Sequence, residues 1–413
     1  MSFKDLQLNK PLLRAVAEAG YDNPTLVQEK TIPLVLNGND VIVSAQTGTG
    51  KTAAFALPIL RILFDQQDAP KKGKKIKALV VSPTRELAVQ ISENFKTYSI
   101  YTNIRTEVIF GGTSIEPQKE TLKKGVDILI ATPGRLLDLH KQDLVNLDYV
   151  ETFVLDEADL MLDMGFIDDV KKIERLCPNG KQTLLFSATI PYKVEQLANS
   201  ILNEPHRIEV TPNASTSKNV HQLLYYVPKQ HKIELCLHLL RNTIKGNIII
   251  FRRTKFGVDK LEKTLLKNGY KADSIHGDKS QTGRQDALNK FKKGEVNILI
   301  ATDVAARGID IDALDAVVNF DLPNVPETYV HRIGRTARAG KTGIAHSFCS
   351  ADEKSYIKSI QQLIQLQLDI IEEHPYPLDP KAKPIIHTSK KTGSKHKKGR
   401  KSVASKKKKK RWY

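Results

Sequence analysis

The decapeptide Val43-Ser44-Ala45-Gln46-Thr47-Gly48-Thr49-Gly50-Lys51-Thr52 sets two glycines, a lysine and hydroxyl side chains in the order that a phosphate-binding loop requires. It follows the apolar run Val41–Val43 and opens onto the helix-permissive run Ala53–Leu57, so the residues predict a strand, a tight turn and a helix start. Glycines in such a turn let backbone N–H groups point inward around phosphates, and the helix start adds positive partial charge. Lys51 is then placed to reach β- and γ-phosphates, and the Thr52 hydroxyl to hold Mg²⁺. Ala45 stands where the usual pattern begins with glycine. A Gly/Thr-rich turn before a lysine is the bland alternative, so a second site has to decide.

Phe153-Val154-Leu155 reads as a buried strand with Asp156-Glu157-Ala158-Asp159 at its C-terminal end, the edge at which open parallel sheets bind ligands. There Asp156 is placed to hold Mg²⁺ through water, and Glu157 to orient or deprotonate an attacking water. Alone, three acids in four residues also fit a solvated helix start. Beside the lysine loop they supply the other half of a nucleotide hydrolase.

Other segments extend the pattern: Gly20-Tyr21-Asp22-Asn23-Pro24-Thr25-Leu26-Val27-Gln28 with Phe3 upstream, Pro83-Thr84-Arg85-Glu86-Leu87-Ala88, Gly111-Gly112, Thr132-Pro133-Gly134-Arg135 and Ser187-Ala188-Thr189. Two more follow at Ala301–Asp310 and at His331-Arg332-Ile333-Gly334-Arg335-Thr336-Ala337-Arg338. Taken together, Phe3 to about Phe348 resembles the DEAD-box ATP-dependent RNA helicases, and within them the bacterial RNA helicase E type. The resemblance implies an α/β fold of two tandem RecA-like domains, each a mostly parallel sheet flanked by helices, with one ATP and Mg²⁺ in the cleft between them.

The same resemblance assigns roles. Ala45, Gln46, Thr47, Gly48, Thr49, Gly50, Lys51 and Thr52 would cradle the phosphates; Arg335 and Arg338 would be arginine fingers; Asp310 would accept from the ribose hydroxyl. His331 would bridge to the acidic strand end or to Ser187 and Thr189, the segment that couples hydrolysis to unwinding. Gln28 can offer adenine both an acceptor and a donor, the match that an amide makes with that base, and Phe3 or Tyr21 would pack on the ring. Pro83, Thr84, Arg85, Gly111, Gly112, Thr132, Arg135, Gly277 and Thr302 would contact RNA. Hydroxyls, guanidinium groups and loop amides reach phosphates and sugars and carry little sequence information. Aromatic content is only 6% and no row of base-stacking rings is evident, so sequence-independent binding through RNA backbone and 2′-hydroxyls is expected. Ala337 departs from the glycine usual in its motif. Arg252 and Arg253 fit either phosphate contacts or solvated charges at a strand end.

Two domains of ordinary size suit 413 residues. The expected division is an adenine-reading region over 1–29, a first domain over 30–209, a linker over 210–218, a second domain over 219–373 and a tail over 374–413. In the first domain, buried strands are predicted at Val41–Val43, Ala78–Ser82, Glu107–Phe110, Asp127–Ala131, Thr152–Leu155 and Thr183–Phe186. In the second they are predicted at Asn247–Phe251, Ala272–Ile275, Asn297–Ala301, Ala316–Phe320 and Ile344–Phe348. The halves echo one another, Asp127–Thr132 paralleling Asn297–Thr302, but only the first has a lysine loop. Residues 381–413 hold fifteen Lys/Arg and no acid; removing them from the net charge of +18 leaves +3 over residues 1–380. That tail is expected to be disordered and to tether RNA electrostatically.

Cys177, Cys236 and Cys349 are widely spaced and suit buried apolar positions in a reducing compartment. A soluble, cytoplasmic, monomeric helicase is expected, acting on structured RNA such as ribosomal precursors or in RNA-decay complexes, without membrane contact. An ATP-gated RNA clamp that rarely unwinds is the first rival reading, and a translocating DNA helicase the second.

Overall fold

The computed structural model describes residues 1–45, 48–66, 75–210, 220–306, 311, 314–336 and 342–379. Seven parallel strands form the first sheet: β1 (Val41–Ala45), β2 (Ala78–Val81), β3 (Thr106–Ile109), β4 (Ile128–Ala131), β5 (Thr152–Leu155), β6 (Gln182–Ser187) and β7 (His206–Val210). Their order is β3-β4-β2-β5-β6-β1-β7. Helices cover both faces, so β2, β4 and β5 are buried at every residue, as parallel strands are. Alternate side chains serve opposite cores. Ala78 and Val80 meet the helices Lys51–Asp65 and Arg85–Tyr98, whereas Leu79 and Val81 meet Pro133–Lys141, Ile167–Leu176 and Tyr192–Ile201. Each aliphatic side chain buried this way contributes about 1.5–3 kcal/mol.

The second sheet has β8 (Val220–Tyr226), β9 (Ile248–Phe251), β10 (Ala272–Ile275), β11 (Ile298–Ala301), β12 (Ala316–Asn319), β13 (Gly343–Cys349) and β14 (Asp369–Ile370) in the order β10-β11-β9-β12-β13-β8-β14. Strand for strand this repeats the first sheet, with β1 matching β8 and β4 matching β11. The sequence echo between Asp127–Thr132 and Asn297–Thr302 is therefore an echo of structural position.

Three strands, β7, β8 and β14, were not anticipated. Part of the segment assigned to the tail is ordered against the second half. Residues 374–379 pack on the second sheet: the Leu378 N–H donates to the Tyr226 carbonyl at 2.9 Å and the Tyr376 ring stacks on His231 at 5.6 Å. Residues 211–218 of the expected linker and the basic residues from Lys381 onward lie outside the described residues.

The strand order sorts the chemistry. Loops after β5, β6 and β1 are neighbours at the C-terminal edge of the first sheet, and loops after β3, β4 and β2 form a separate group beside them. The first group carries the acidic cluster, Ser187–Thr189 and the lysine loop. The second carries the expected RNA residues.

Candidate functional site

The lysine loop is held by the helix Leu26–Leu36. Thr25 caps that helix and donates its hydroxyl to the Thr49 carbonyl at 2.8 Å. Gln28 accepts the Thr25 N–H at 3.0 Å and donates from Nε2 to the Gly50 carbonyl at 3.3 Å. Gly50 has φ +88°, and a Cβ there would run into the Gln28 amide, so both backbone and approach require glycine. Gln28 is thus buried and engaged within the protein. These two bonds use one of the oxygen's two lone pairs and one of the two amide N–H groups, so an acceptor and a donor remain for adenine. Phe3 is 5% exposed and packs in the core of the first half, whereas Tyr21 is 44% exposed and its ring is tilted against that of Tyr98. Gln46 and Thr47 fall outside the described residues.

Lys51 opens the helix Lys51–Asp65, and its ammonium is 2.9 Å from Glu157 Oε1, both groups buried. Burial opposes the charge on Lys51, but Glu157 and Asp156 outweigh it and raise the ammonium above its ordinary range. Burial, then the neighbouring Glu157 charge, pushes the Asp156 carboxyl up to about 7. Asp156 Oδ1 is buried with no hydrogen-bond partner among the described residues. Such a carboxylate wants a cation, so Asp156 fits Mg²⁺. Glu157 sits in the left-handed region, φ 55° and ψ 55°, a conformation that costs a non-glycine residue about 1–3 kcal/mol and is concentrated at functional sites.

Asp159 links this cluster to its neighbours. Its Oδ2 accepts the Thr189 N–H at 3.0 Å and the Thr189 hydroxyl at 2.9 Å, and its N–H donates to Ser187 Oγ at 3.1 Å. Burial works to raise the Asp159 carboxyl, but the charges of His331 and Lys51 and the hydroxyl bonds hold it below the usual range. His331 belongs to the helix Pro326–Ile333 of the second half. A cavity of about 540 Å³ lies between the halves, lined by Glu157, Asp159 and Thr189 from one and by Thr328, His331 and Arg335 from the other. Arg338 and Asp310 lie outside the described residues.

On the second loop group, Thr84 caps the helix Arg85–Tyr98. The Arg85 guanidinium lies over Gly112, where φ is +79° and any Cβ would collide with it. Arg135 donates to the Thr113 carbonyl at 3.1 Å. Thr132 caps the helix Pro133–Lys141 without using its hydroxyl. Gly277 and Thr302 follow β10 and β11, the equivalent pair of strands in the second sheet. Pro83 and Gly111 complete the first half's loops.

A DEAD/DEAH box helicase model matches residues 25–197, and a helicase conserved C-terminal domain model matches residues 231–340. The chain belongs to the DEAD-box helicase family. It is 44% identical over 375 residues to the DEAD-box ATP-dependent RNA helicase CshA of Bacillus subtilis, covering 90% of this chain and 74% of that protein. S. cerevisiae Dbp5 bound to RNA and ADP BeF3 superposes with a TM-score of 0.80 at 32% identity, over 90% of this chain and 95% of that one. A DEAD box protein from Methanococcus jannaschii, 38% identical over 90% of this chain and 99% of its own, reaches only 0.51. The more identical of the two proteins thus fits less well. These matches carry the family and not the helicase E branch within it.

Several residues of this DEAD-box protein escaped the sequence reading. Glu86 meets Arg284 of the other half at 3.2 Å, with both side chains largely buried. Gln281 donates to Glu86 at 3.0 Å and accepts from Arg85 at 3.5 Å. Gln281 and Arg284 are three apart in the first turn of a helix, the only available signal. Arg332 is fully buried and grips Asp303 with two bonds of 2.6 and 2.9 Å. Both arginines are ion-paired within the second half, Arg252 partly buried and Arg253 still exposed at the strand end. Arg252 pairs with Asp321 at 2.9 Å, and Arg253 with Glu353 at 3.2 Å, beside the buried Lys232–Glu353 pair at 2.6 Å.

Proposed function

We propose that this DEAD-box protein is an ATP-dependent RNA helicase that grips RNA by its backbone and parts short duplexes as its halves close and open. One observation carries the reading: His331 and Arg335 of the second half and Glu157, Asp159 and Thr189 of the first line a single cavity. Neither half holds the full set. Closure is therefore a condition of hydrolysis, and opening is its consequence.

Lys51 orients the β- and γ-phosphates, Arg335 places positive charge where the γ-phosphoryl group becomes most anionic, and Glu157 orients the attacking water and accepts its proton. Asp156 and Thr52 would hold Mg²⁺, which neutralises charge on the phosphate oxygens when bound. Lys51 has two claims on its ammonium, Glu157 and phosphate. Its engagement by phosphate frees Glu157 Oε1 for water. Through Asp159, Thr189 and Ser187 sense His331 as well as the acidic cluster, a route from the nucleotide to the strand-end loops. Arg338 joins Arg335 as a second finger, Asp310 holds the ribose, and Gln28 with Tyr21 selects adenine.

Thr84, Arg85, Gly112, Thr132 and Arg135 take one part of the RNA strand, and Gly277 and Thr302 the next. No helix among the described residues is long and apolar enough to cross a membrane. We place the protein in the cytoplasm, as a monomer acting on structured RNA, with the basic tail as an added tether.

Displacement of a short labelled RNA strand, measured alongside ATPase turnover with RNA and with DNA, tests this. Turnover and displacement that rise with RNA and not DNA are expected. RNA-stimulated turnover without displacement would make the protein a clamp, and equal stimulation by DNA would overturn the RNA reading.

A further inference from the structure

Phe256 is the one phenylalanine among the exposed large hydrophobic side chains of the described residues, with 73% of its surface open. Isolated exposed apolar residues are common, so its meaning rests on its place. It is the second residue of the helix Lys255–Lys267, which starts at the Thr254 cap just beyond the C-terminal end of β9. Strand β9 pairs with β11, and β11 with β10. The loops after those two strands carry Gly277 and Thr302. Lys255 joins the ring to them: its Nζ is 2.6 Å from Asp278, the residue after Gly277, and 5.4 Å from the Phe256 ring centre. The Arg85–Gln281 contact brings the RNA loops of the first half to the same edge. An open aromatic ring therefore stands where phosphate-binding loops converge.

We propose that Phe256 is a stacking platform for one nucleobase of the bound RNA strand, a subsite added to otherwise backbone-directed binding. The proposal rests on the RNA helicase reading above. A ring on this edge has the flat apolar face that a base needs, and every base has a matching π-face. Stacking displaces no counterion, so it adds affinity without adding to the salt dependence, unlike a phosphate contact. Purines stack over a larger area than pyrimidines, which gives this site a mild base preference.

The test uses the full chain with a non-hydrolysable ATP analogue and fluorescent single strands of oligo(A), oligo(U) and oligo(A) carrying one abasic ribose at successive positions. Phe256→Ala is expected to weaken oligo(A) binding about tenfold, within the range that alanine substitution gives at stacking sites, and oligo(U) binding less. Phe256→Trp should restore affinity. The slope of log affinity against log salt should match that of the unaltered protein. One abasic position should weaken the unaltered protein but not Phe256→Ala. Unchanged thermal unfolding of both variants checks their folding. If the unaltered protein binds RNA and Phe256→Ala binds equally well, the subsite is refuted. A loss that is the same for every abasic strand, or that comes with a flatter salt slope, refutes stacking too. If the unaltered protein binds no RNA, the helicase reading itself fails.

Discussion

Lys51 and Glu157 meet at 2.9 Å across 106 residues of sequence, one opening the phosphate-loop helix and the other following β5. In the proposed mechanism the pair ties the ammonium that would hold phosphate to the carboxylate that would face water, so the two substitutions should fail differently. Lys51→Ala should weaken ATP binding about 10- to 100-fold, the worth of a charge-assisted bond, and eliminate hydrolysis. Glu157→Gln keeps the shape and the neighbouring Asp156. It should bind ATP within a few-fold of the unaltered protein, hydrolyse it about 10²- to 10⁴-fold more slowly and dissociate from RNA more slowly. Fluorescent-nucleotide titration and single-turnover hydrolysis separate these outcomes. Loss of ATP binding by Glu157→Gln would contradict its role.

Arg284 reports on closure. Its guanidinium is depressed by burial and by nearby Arg85, and is held by Glu86. Removing it leaves the Glu86 carboxylate buried with Gln281, a costly arrangement that the open protein avoids. Arg284→Ala should therefore reduce RNA affinity about tenfold in the presence of an ATP analogue and little in its absence. A double-mutant cycle with Glu86→Ala should give a coupling of about 0.5–3 kcal/mol, as for residues in one ion-pair network. Additive effects would mean that the contact does not form in the working complex.

The second half should lose stability in mild acid. His346 is buried, accepts or donates a bond of 3.1 Å with the Tyr225 hydroxyl, and is depressed to about 4 by burial and by His221. Its unfolded form takes a proton near 6.5, so the unfolded state binds more protons below that pH. Stability is intact above 6.5, falls as pH drops and levels off below about 4. The total is on the order of 3 kcal/mol. Urea unfolding at pH 7 and pH 5 should show about 2 kcal/mol of this loss, and His346→Phe should lose less over the same interval. An identical pH dependence in the variant would remove His346 from the account.

Most of the candidate site was legible because its residues follow strands that read as continuous apolar runs. Lys51, Asp156, Glu157 and Ser187 each lie at or just beyond a buried strand end, and the fold brings them together without further information. The edge strand β7 was hidden because His206, Arg207 and Glu209 are exposed, which dilutes the apolar pattern; β14 is two exposed residues long. Glu86 and Arg284 could not be paired from sequence, since their meeting depends on how the halves are set. The pairs of Arg252 with Asp321 and of Arg253 with Glu353 were hidden for another reason: the partners lie 69 and 100 residues away within the same half.

The C-terminal boundary gives the last prediction. Truncation after Pro380 removes all fifteen basic residues of the tail but spares Tyr376 and Leu378, which pack on His231 and β8. It should leave thermal unfolding and maximal turnover unchanged. RNA affinity should fall at low salt, and the slope of log affinity against log salt should flatten by several units, because each lost phosphate contact releases fewer counterions. Truncation after Glu373 removes the same charges together with the packed segment. It should show the same change in slope and, in addition, a lower unfolding temperature, since a stacked ring and a strand-edge hydrogen bond are lost as well. Equal unfolding temperatures for the two truncations would mean that residues 374–379 do not stabilise the second half. An unaltered salt slope in both would mean that the basic segment serves something other than RNA.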